Sequence, residues 1–238
     1  MKDISLKELL EAGCHFGHKA SRWYPKASGY IFTEREGIHV IDLAQTKSGL
    51  EEAGKYLMDL AKTSGTIIFV GAKKQGKSVI EEAAKKAGVF YLTQRWPGGL
   101  LTNFAVLKKN LDRIKELEAR ITDVSFTKKE RLLAKRKMEK LLVLYGGLLG
   151  MGKLPDAVFI VDIKKFAGAV REAVAIGAKI VAICDTNVDP EPVNYKIPAN
   201  DDAVGSIKII VDYLSDAWIE GKKQAPAGEP QEESDKSK

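Results

Sequence analysis

The chain has 238 residues, 45% of them hydrophobic, with 38 Lys/Arg against 32 Asp/Glu and a formal net charge of +6. That apolar fraction supplies one large or two small domains and excludes a disordered chain, and a pI near 9.1 fits a nucleic-acid or acidic-surface partner. Cys14 and Cys184 lie far apart and match no metal or redox spacing, the Met1-to-Ser5 start does not read as a signal peptide, and no apolar run reaches the roughly 20 residues of a membrane span, so a cytoplasmic protein with reduced thiols is expected.

At the N-terminus, Ser5 and Glu8 have capping-box spacing ahead of Leu6, Leu9 and Leu10, and Gly13 is placed to end that short helix. Next come Cys14, His15, Phe16, Gly17, His18 and Lys19, then Arg22, Trp23, Tyr24, Pro25 and Lys26 in a stretch expected to be extended. Cations mixed with aromatics suit unpaired bases and their phosphates; the same mixture equally suits an aromatic plug beneath an N-terminal loop. Residues 30–32 and 38–41 predict a hairpin joined by 33–37, with His39 as a surface or packed residue. Residues 43–63 predict an amphipathic helix with Leu50, Ala53, Leu57 and Leu60 on one face.

From there short Val/Ile-rich runs alternate with helical segments. Strands are predicted at 66–70, 89–92, 157–161 and 179–183, and helices at 77–87, 163–176 and, after a loop, 203–221. This alternation implies an α/β fold with a parallel sheet covered on both faces. Beyond about 222 the chain is rich in Pro, Gly, Glu and Ser and is expected to be a disordered tail.

The stretch 104–145 interrupts the alternation and is expected to project from the sheet. Phe104, Leu107, Leu111, Ile114, Leu117 and Ile121 recur every three or four residues, a coiled-coil-like seam. Thr102 or Asn103 can cap its start. Thr127 with Glu130 opens a second helix, and Leu133, Met138, Leu141 and Tyr145 are its expected facing seam. At about 1.5 Å per residue each helix is a rod of roughly 27 Å. Between 103 and 140 stand twelve cations (Lys108, Lys109, Arg113, Lys115, Arg120, Lys128, Lys129, Arg131, Lys135, Arg136, Lys137 and Lys140) against six acids, an excess equal to the net charge of the whole chain. A near-neutral body with one basic arm points to a polyanion partner; the bland alternative is a solvated helix pair.

Two patterns suggest chemistry. Gly71, Gly76, Lys77 and Ser78 satisfy G-x-x-x-x-G-K-S between a predicted strand and helix, the phosphate-loop context. Asp162 and Asp185, each at a strand end, are the possible Mg²⁺ partners, so a phosphate-loop NTPase is an alternative function. The competing reading makes 71–78 an ordinary strand-to-helix turn, and the two acids a helix cap and a turn residue. Separately, His15 and His18 with Asp185, Asp189, Asp201 and Asp202 could supply a divalent-metal site, though capping and turn roles explain them too. No arrangement for covalent catalysis emerges.

Several stretches together resemble one family: 9–18 (LLEAGCHFGH), 95–103 (RWPGGLLTN), 154–162 (LPDAVFIVD), Asp185, Thr186 and Asn187 with Asp189 and Pro190, and 197–202 (IPANDD). The sequence resembles the bacterial small-subunit ribosomal protein S-two family over roughly 1–220. That resemblance implies a three-layer, flavodoxin-like α/β domain with a protruding antiparallel coiled-coil hairpin. The divisions are then 1–102 and 151–221 for the two parts of the α/β domain, 103–150 for the hairpin and 222–238 for the tail. It further implies a structural, non-enzymatic constituent of the small (30S) subunit that binds 16S ribosomal RNA, joins late in assembly, and touches ribosomal protein S-one and other small-subunit proteins. No cofactor is implied, and a phosphate loop is not a feature of the family. The family usually has a different residue where Pro97 stands, so the turn after Trp96 should be stiffer here. On this reading the expected RNA contacts are Lys19, Arg22, Trp23, Lys26, Lys73, Lys74, Arg95, Trp96, Lys108, Lys109, Arg113, Lys128, Lys129, Arg131, Lys135 and Arg136, with Lys77 a further candidate contact and Tyr24 expected to stack or pack beside the RNA.

Overall fold

Parallel strands buried on both faces need an unbroken apolar run, and four segments of this chain have one. The structure, a computed structural model, describes residues 3–225. It places β4 (Ile67–Val70), β5 (Phe90–Leu92), β6 (Ala157–Ile160), β7 (Lys179–Cys184) and β8 (Tyr195–Pro198) in one parallel sheet of order β5-β4-β6-β7-β8. Counted within the sheet this is 2-1-3-4-5, the doubly wound order whose direction reverses between β4 and β6. Alternate residues face opposite ways. Ile67, Phe69 and Phe159 join one buried cluster, whereas Ile68, Val70, Val158 and Ile160 join the other. β8 replaces a predicted loop. It is an edge strand of four residues ending in Pro198, a residue edge strands tolerate, and it lacks the apolar run that marks the inner strands.

The first cluster is covered by α2 (Leu43–Lys62), α3 (Lys77–Ala87) and α7 (Val204–Gln224), with Leu50, Leu57, Ile80, Ile210 and Trp218 at its centre. The tail predicted from 222 thus begins within the last turn of α7, and 226–238 lie outside the described residues. The second cluster is covered by α6 (Ala167–Ile176) and by the base of α4 (Phe104–Thr122) and α5 (Lys128–Tyr145).

α4 and α5 lie antiparallel, with Asn110 Nδ2 near the start of one 3.4 Å from the Tyr145 hydroxyl at the end of the other. Leu107, Leu111, Ile114 and Leu117 are buried along α4, as predicted. The facing seam differs from expectation. Ala134 is the buried residue of α5 and Leu133 is exposed. Counting back from Tyr145 by three and four gives Leu141, Met138, Ala134 and Arg131, which is why Leu133 falls off the seam. Thr127 and Glu130 form the capping box. Asn103 makes no side-chain cap, because the Thr102–Asn103 corner is held from elsewhere. Leu107, Leu111 and Ile114 belong to the same buried cluster as β4 and β6, so the base of the hairpin is built into the core.

The N-terminal residues add α1 (Leu6–Glu11), capped by the predicted box of Ser5 and Glu8, and a small antiparallel sheet of order β1-β3-β2. Its strands are β1 (Phe16–Lys19), β2 (Ile31–Arg35) and β3 (Ile38–Ile41). The hairpin turn is the two residues Glu36 and Gly37, both at positive φ, and not the five expected. Between β1 and β2 the stretch predicted as extended forms two 3₁₀ turns, Ala20–Arg22 and Pro25–Tyr30. Pro25, with φ fixed near the helical value, opens the second.

Candidate nucleic-acid interface

In an open α/β sheet the crevice at the order reversal is the usual ligand position, and the strand-end loops that form it come from β4 and β6. Here that crevice is filled from within. Lys73, in the loop after β4, places Nζ 3.2 Å from Asp162, which follows β6, and 2.6 and 2.8 Å from Asp201 and Asp202, which precede α7. His18 joins them, with Nδ1 3.1 Å from Asp185 and Nε2 3.6 Å from Asp202. The acids outnumber the one certain cation. Burial and then the Asp185 charge therefore push Asp201 up to about 7, against the pull of Lys73. Burial alone would lower the Lys73 pKa, but the facing carboxylates outweigh it and hold the ammonium well above its ordinary range. The hydrogen bond to Asp185 raises the His18 pKa.

This arrangement overturns the phosphate-loop alternative. The amides of Gly76 and Lys77 both donate to the Lys73 carbonyl, so they close a turn and do not face an anion. A Cβ on Gly76 would meet Ile207 of α7 at 3.2 Å, so α7 sits against the loop. Lys73 is likewise removed from the set of exposed contacts, since its side chain is only 15% exposed and is shared among three carboxylates. Lys74 is exposed and Lys77 half-buried. Of the six candidate metal ligands, His18, Asp201 and Asp202 come together with donor atoms within 4.8 Å of one another. Asp185 touches His18, whereas the His15 ring lies tilted against Phe16, 4.0 Å between centroids, and Asp189 binds Tyr24 and Lys26.

The aromatic–cationic segment docks at the ends of β6 and β7. Thr186 anchors it, accepting from His18 N on Oγ1 at 2.9 Å and from Tyr24 N on its carbonyl at 2.7 Å. Gly17 permits that approach, because a Cβ there would lie 2.9 Å from the Thr186 methyl. The plug reading holds in part for this segment. Trp23 packs edge-on against buried His39, 5.6 Å between centroids, yet stays 42% exposed. Lys26 is paired with Asp189 at 3.3 Å and with Glu191. Lys19 and Arg22 are exposed.

The loop from Arg95 to Asn103 is organised by a residue the sequence did not single out. Glu172, on α6, accepts from Trp96 Nε1 at 3.0 Å, Gly99 N at 2.8 Å, Leu101 N at 2.9 Å and Thr102 N at 3.3 Å. Burial would raise its pKa, but these donors outweigh burial and lower it. Trp96 is thus half-buried with its N–H occupied, and Arg95 is exposed beside it. No local spacing links Glu172 to this loop, so only the through-space contact exposes its role.

The arm is electrostatically unlike the rest. Among the described residues, none of its twelve cations forms a salt bridge. Lys108, Lys109, Arg113, Lys128, Lys129, Lys135 and Arg136 are exposed, and Arg131 is half-buried on the seam. Lys108 lies over the Phe104 ring and Arg120 over Phe126, at 5.7 and 4.8 Å from the centroids. No described helix is long and apolar enough to cross a membrane.

Residues 9–221 match the family model described as "Ribosomal protein S2". The chain is 45% identical over 237 residues to the small ribosomal subunit protein uS2 of Fusobacterium nucleatum, covering 98% of this chain and 96% of the relative. It is 49% identical over 225 residues to that of Dictyoglomus thermophilum, covering 93% and 92%.

Proposed function

The chain belongs to the ribosomal protein S2 family, a structural and non-enzymatic constituent of the small subunit of the cytoplasmic ribosome, and from that premise we propose how it holds its RNA. The arm grips the phosphate backbone of 16S ribosomal RNA with its unpaired lysines and arginines, and the body supplies a near-neutral mount. The observation that carries this is the absence of any salt bridge to the arm cations among the described residues. Cations left without a carboxylate partner are available to phosphates. Such contacts fix position without reading sequence, so selectivity follows from the shape of the folded RNA.

With about six phosphates engaged, log affinity falls against log salt with a slope on the order of −4 to −5. Sucrose-gradient sedimentation of a lysate, blotted for this chain at low and then high salt, tests the reading directly. Comigration with small subunits and release at high salt is expected. A chain that stays at the top of the gradient in both salts, or an affinity indifferent to salt, overturns it.

Three finer points belong to the same proposal. The three–four spacing of both seams winds α4 and α5 into a short coiled coil, so 103–150 forms a hairpin module set between the two parts of the α/β domain, 1–102 and 151–221. Ribosomal protein S-one is a protein neighbour, a reading that rests on the family resemblance alone. No cofactor takes part. His18, Asp201 and Asp202 have donors a divalent ion accepts, but two of those carboxylates already hold the Lys73 ammonium, and an ion there would compete with it.

A further inference from the structure

The crevice at the order reversal is closed by Lys73, yet the neighbouring one is open. A cavity of about 560 Å³ lies beyond the ends of β6 and β7, between the N-terminal 3₁₀ segment and α6. That volume falls in the roughly 300–1,000 Å³ range of small-molecule sites. Its walls are of two kinds. The exposed ring of Trp23 with Ile163 and Val170 supplies an apolar slot. Arg22, Lys164 and Arg171 stand around it, and among the described residues none of the three has a carboxylate partner. The one acid in the lining, Asp189, is committed to the Tyr24 hydroxyl and to Lys26. Asn187, also in the lining, has a buried Oδ1 with no hydrogen-bond partner.

We propose that this cavity takes one unpaired nucleotide of a single-stranded segment of the ribosomal RNA, its base against Trp23 and its phosphates on Arg22, Lys164 and Arg171. The inference rests on the RNA-binding reading above and names a subsite within it. An aromatic face tolerates any base, and three free cations suit the flanking phosphates. Duplex RNA keeps its bases stacked and paired, so it cannot fill the slot. On the other flank of α6 a second cavity of about 380 Å³ is lined by Arg95, Trp96 and Lys165, and Arg171 lines both. A strand laid across α6 therefore meets a tryptophan and a set of cations on each side.

The test compares the full chain with its variants by fluorescence anisotropy. One probe is a labelled oligouridylate of about eight nucleotides, the size a single-strand site covers, and the other is an RNA duplex of equal length. Trp23→Leu is expected to weaken the single strand about tenfold and the duplex less than about twofold, and Trp23→Phe, which keeps a stacking face, stays within about threefold of the parent. Arg171→Gln weakens the single strand more than the duplex and serves if Trp23→Leu fails to fold. The proposal falls if Trp23→Leu binds the single strand like the parent, if single strand and duplex weaken equally, or if the Phe variant loses as much as the Leu variant. It also falls if uridine monophosphate competes as well as the strand, which would mark a free-nucleotide site. Replacing Lys108, Lys109, Lys128 and Lys129 together by Ala separates the two readings. Unchanged binding of both probes would sink the arm while leaving the Trp23 comparison to decide the cavity.

Discussion

The body and the arm spend their lysines differently. In the body, Lys7, Lys26, Lys47, Lys62, Lys73, Lys85, Lys86, Lys153 and Lys208 each lie within 4.0 Å of a carboxylate, while others, Lys19, Lys74 and Lys164 among them, have none among the described residues. In the arm, among the described residues, no cation has such a partner. Paired charges contribute little beyond holding local geometry, except where they are buried. Unpaired like charges crowded on two helices repel one another and raise the free energy of the isolated fold. The body thus carries paired and unpaired cations side by side, whereas the arm, among the described residues, carries only unpaired ones.

The comparison is broken most severely at Lys73. Lys73→Met leaves Asp162 and Asp201 buried without their cation and is expected to cost about 3–5 kcal/mol in chemical denaturation. The double variant Lys73→Met with Asp201→Asn should recover part of that loss. Little change in the single variant would mean that the cluster is solvated and the crevice not sealed.

Glu172 comes next, as the half-buried anion that ties the base of the arm to the body. Glu172→Gln keeps the shape but loses charge-assisted bonds, and the expected cost is about 1–2 kcal/mol at neutral pH. The hydrogen bonds lower its pKa in the fold, so its contribution is full above the ordinary carboxylate value and is lost as pH falls through the lowered one. The parent should therefore lose stability on the acid side more steeply than the variant. Parallel acid limbs would show that Glu172 does not hold the loop.

The smallest stability effect sharpens the contrast from the other side. Replacing Lys108, Lys109, Lys128 and Lys129 by Ala should leave the melting free energy within about 0.5 kcal/mol of the parent. The salt slope of RNA binding should become shallower by about 0.9 for each phosphate that is no longer neutralised. A large loss of stability with an unchanged slope would reverse the roles assigned to arm and body.

Much of the fold was legible in the sequence. β4, β6 and β7 were legible because double burial requires continuous Val/Ile runs, and α4 because its seam repeats at three and four. β1 escaped because Gly17, His18 and Lys19 carry no apolar alternation; they pair with β3 and dock on Thr186. Leu133 stood out over Ala134 because hydrophobicity outranks size in a sequence reading, whereas a tight helix pair selects by phase. The candidate site was legible as charge but not as contact. Lys26 and Lys73 read like any other lysines, Trp96 looked free, and Glu172 carried no signal.

By itself the sequence determined the alternation of strand and helix, the family motifs, and the concentration of the chain's positive charge between 103 and 140. All of these are local or additive properties. The tertiary structure alone decided that the 71–78 loop closes on its own carbonyl, that Lys73 turns inward to acids at 162, 201 and 202, and that an aromatic slot opens beside α6. Coulomb and hydrogen-bond energies depend on distance through space. Partners some ninety or more residues apart are brought within 4 Å only by the folded sheet, and no spacing along the chain records them.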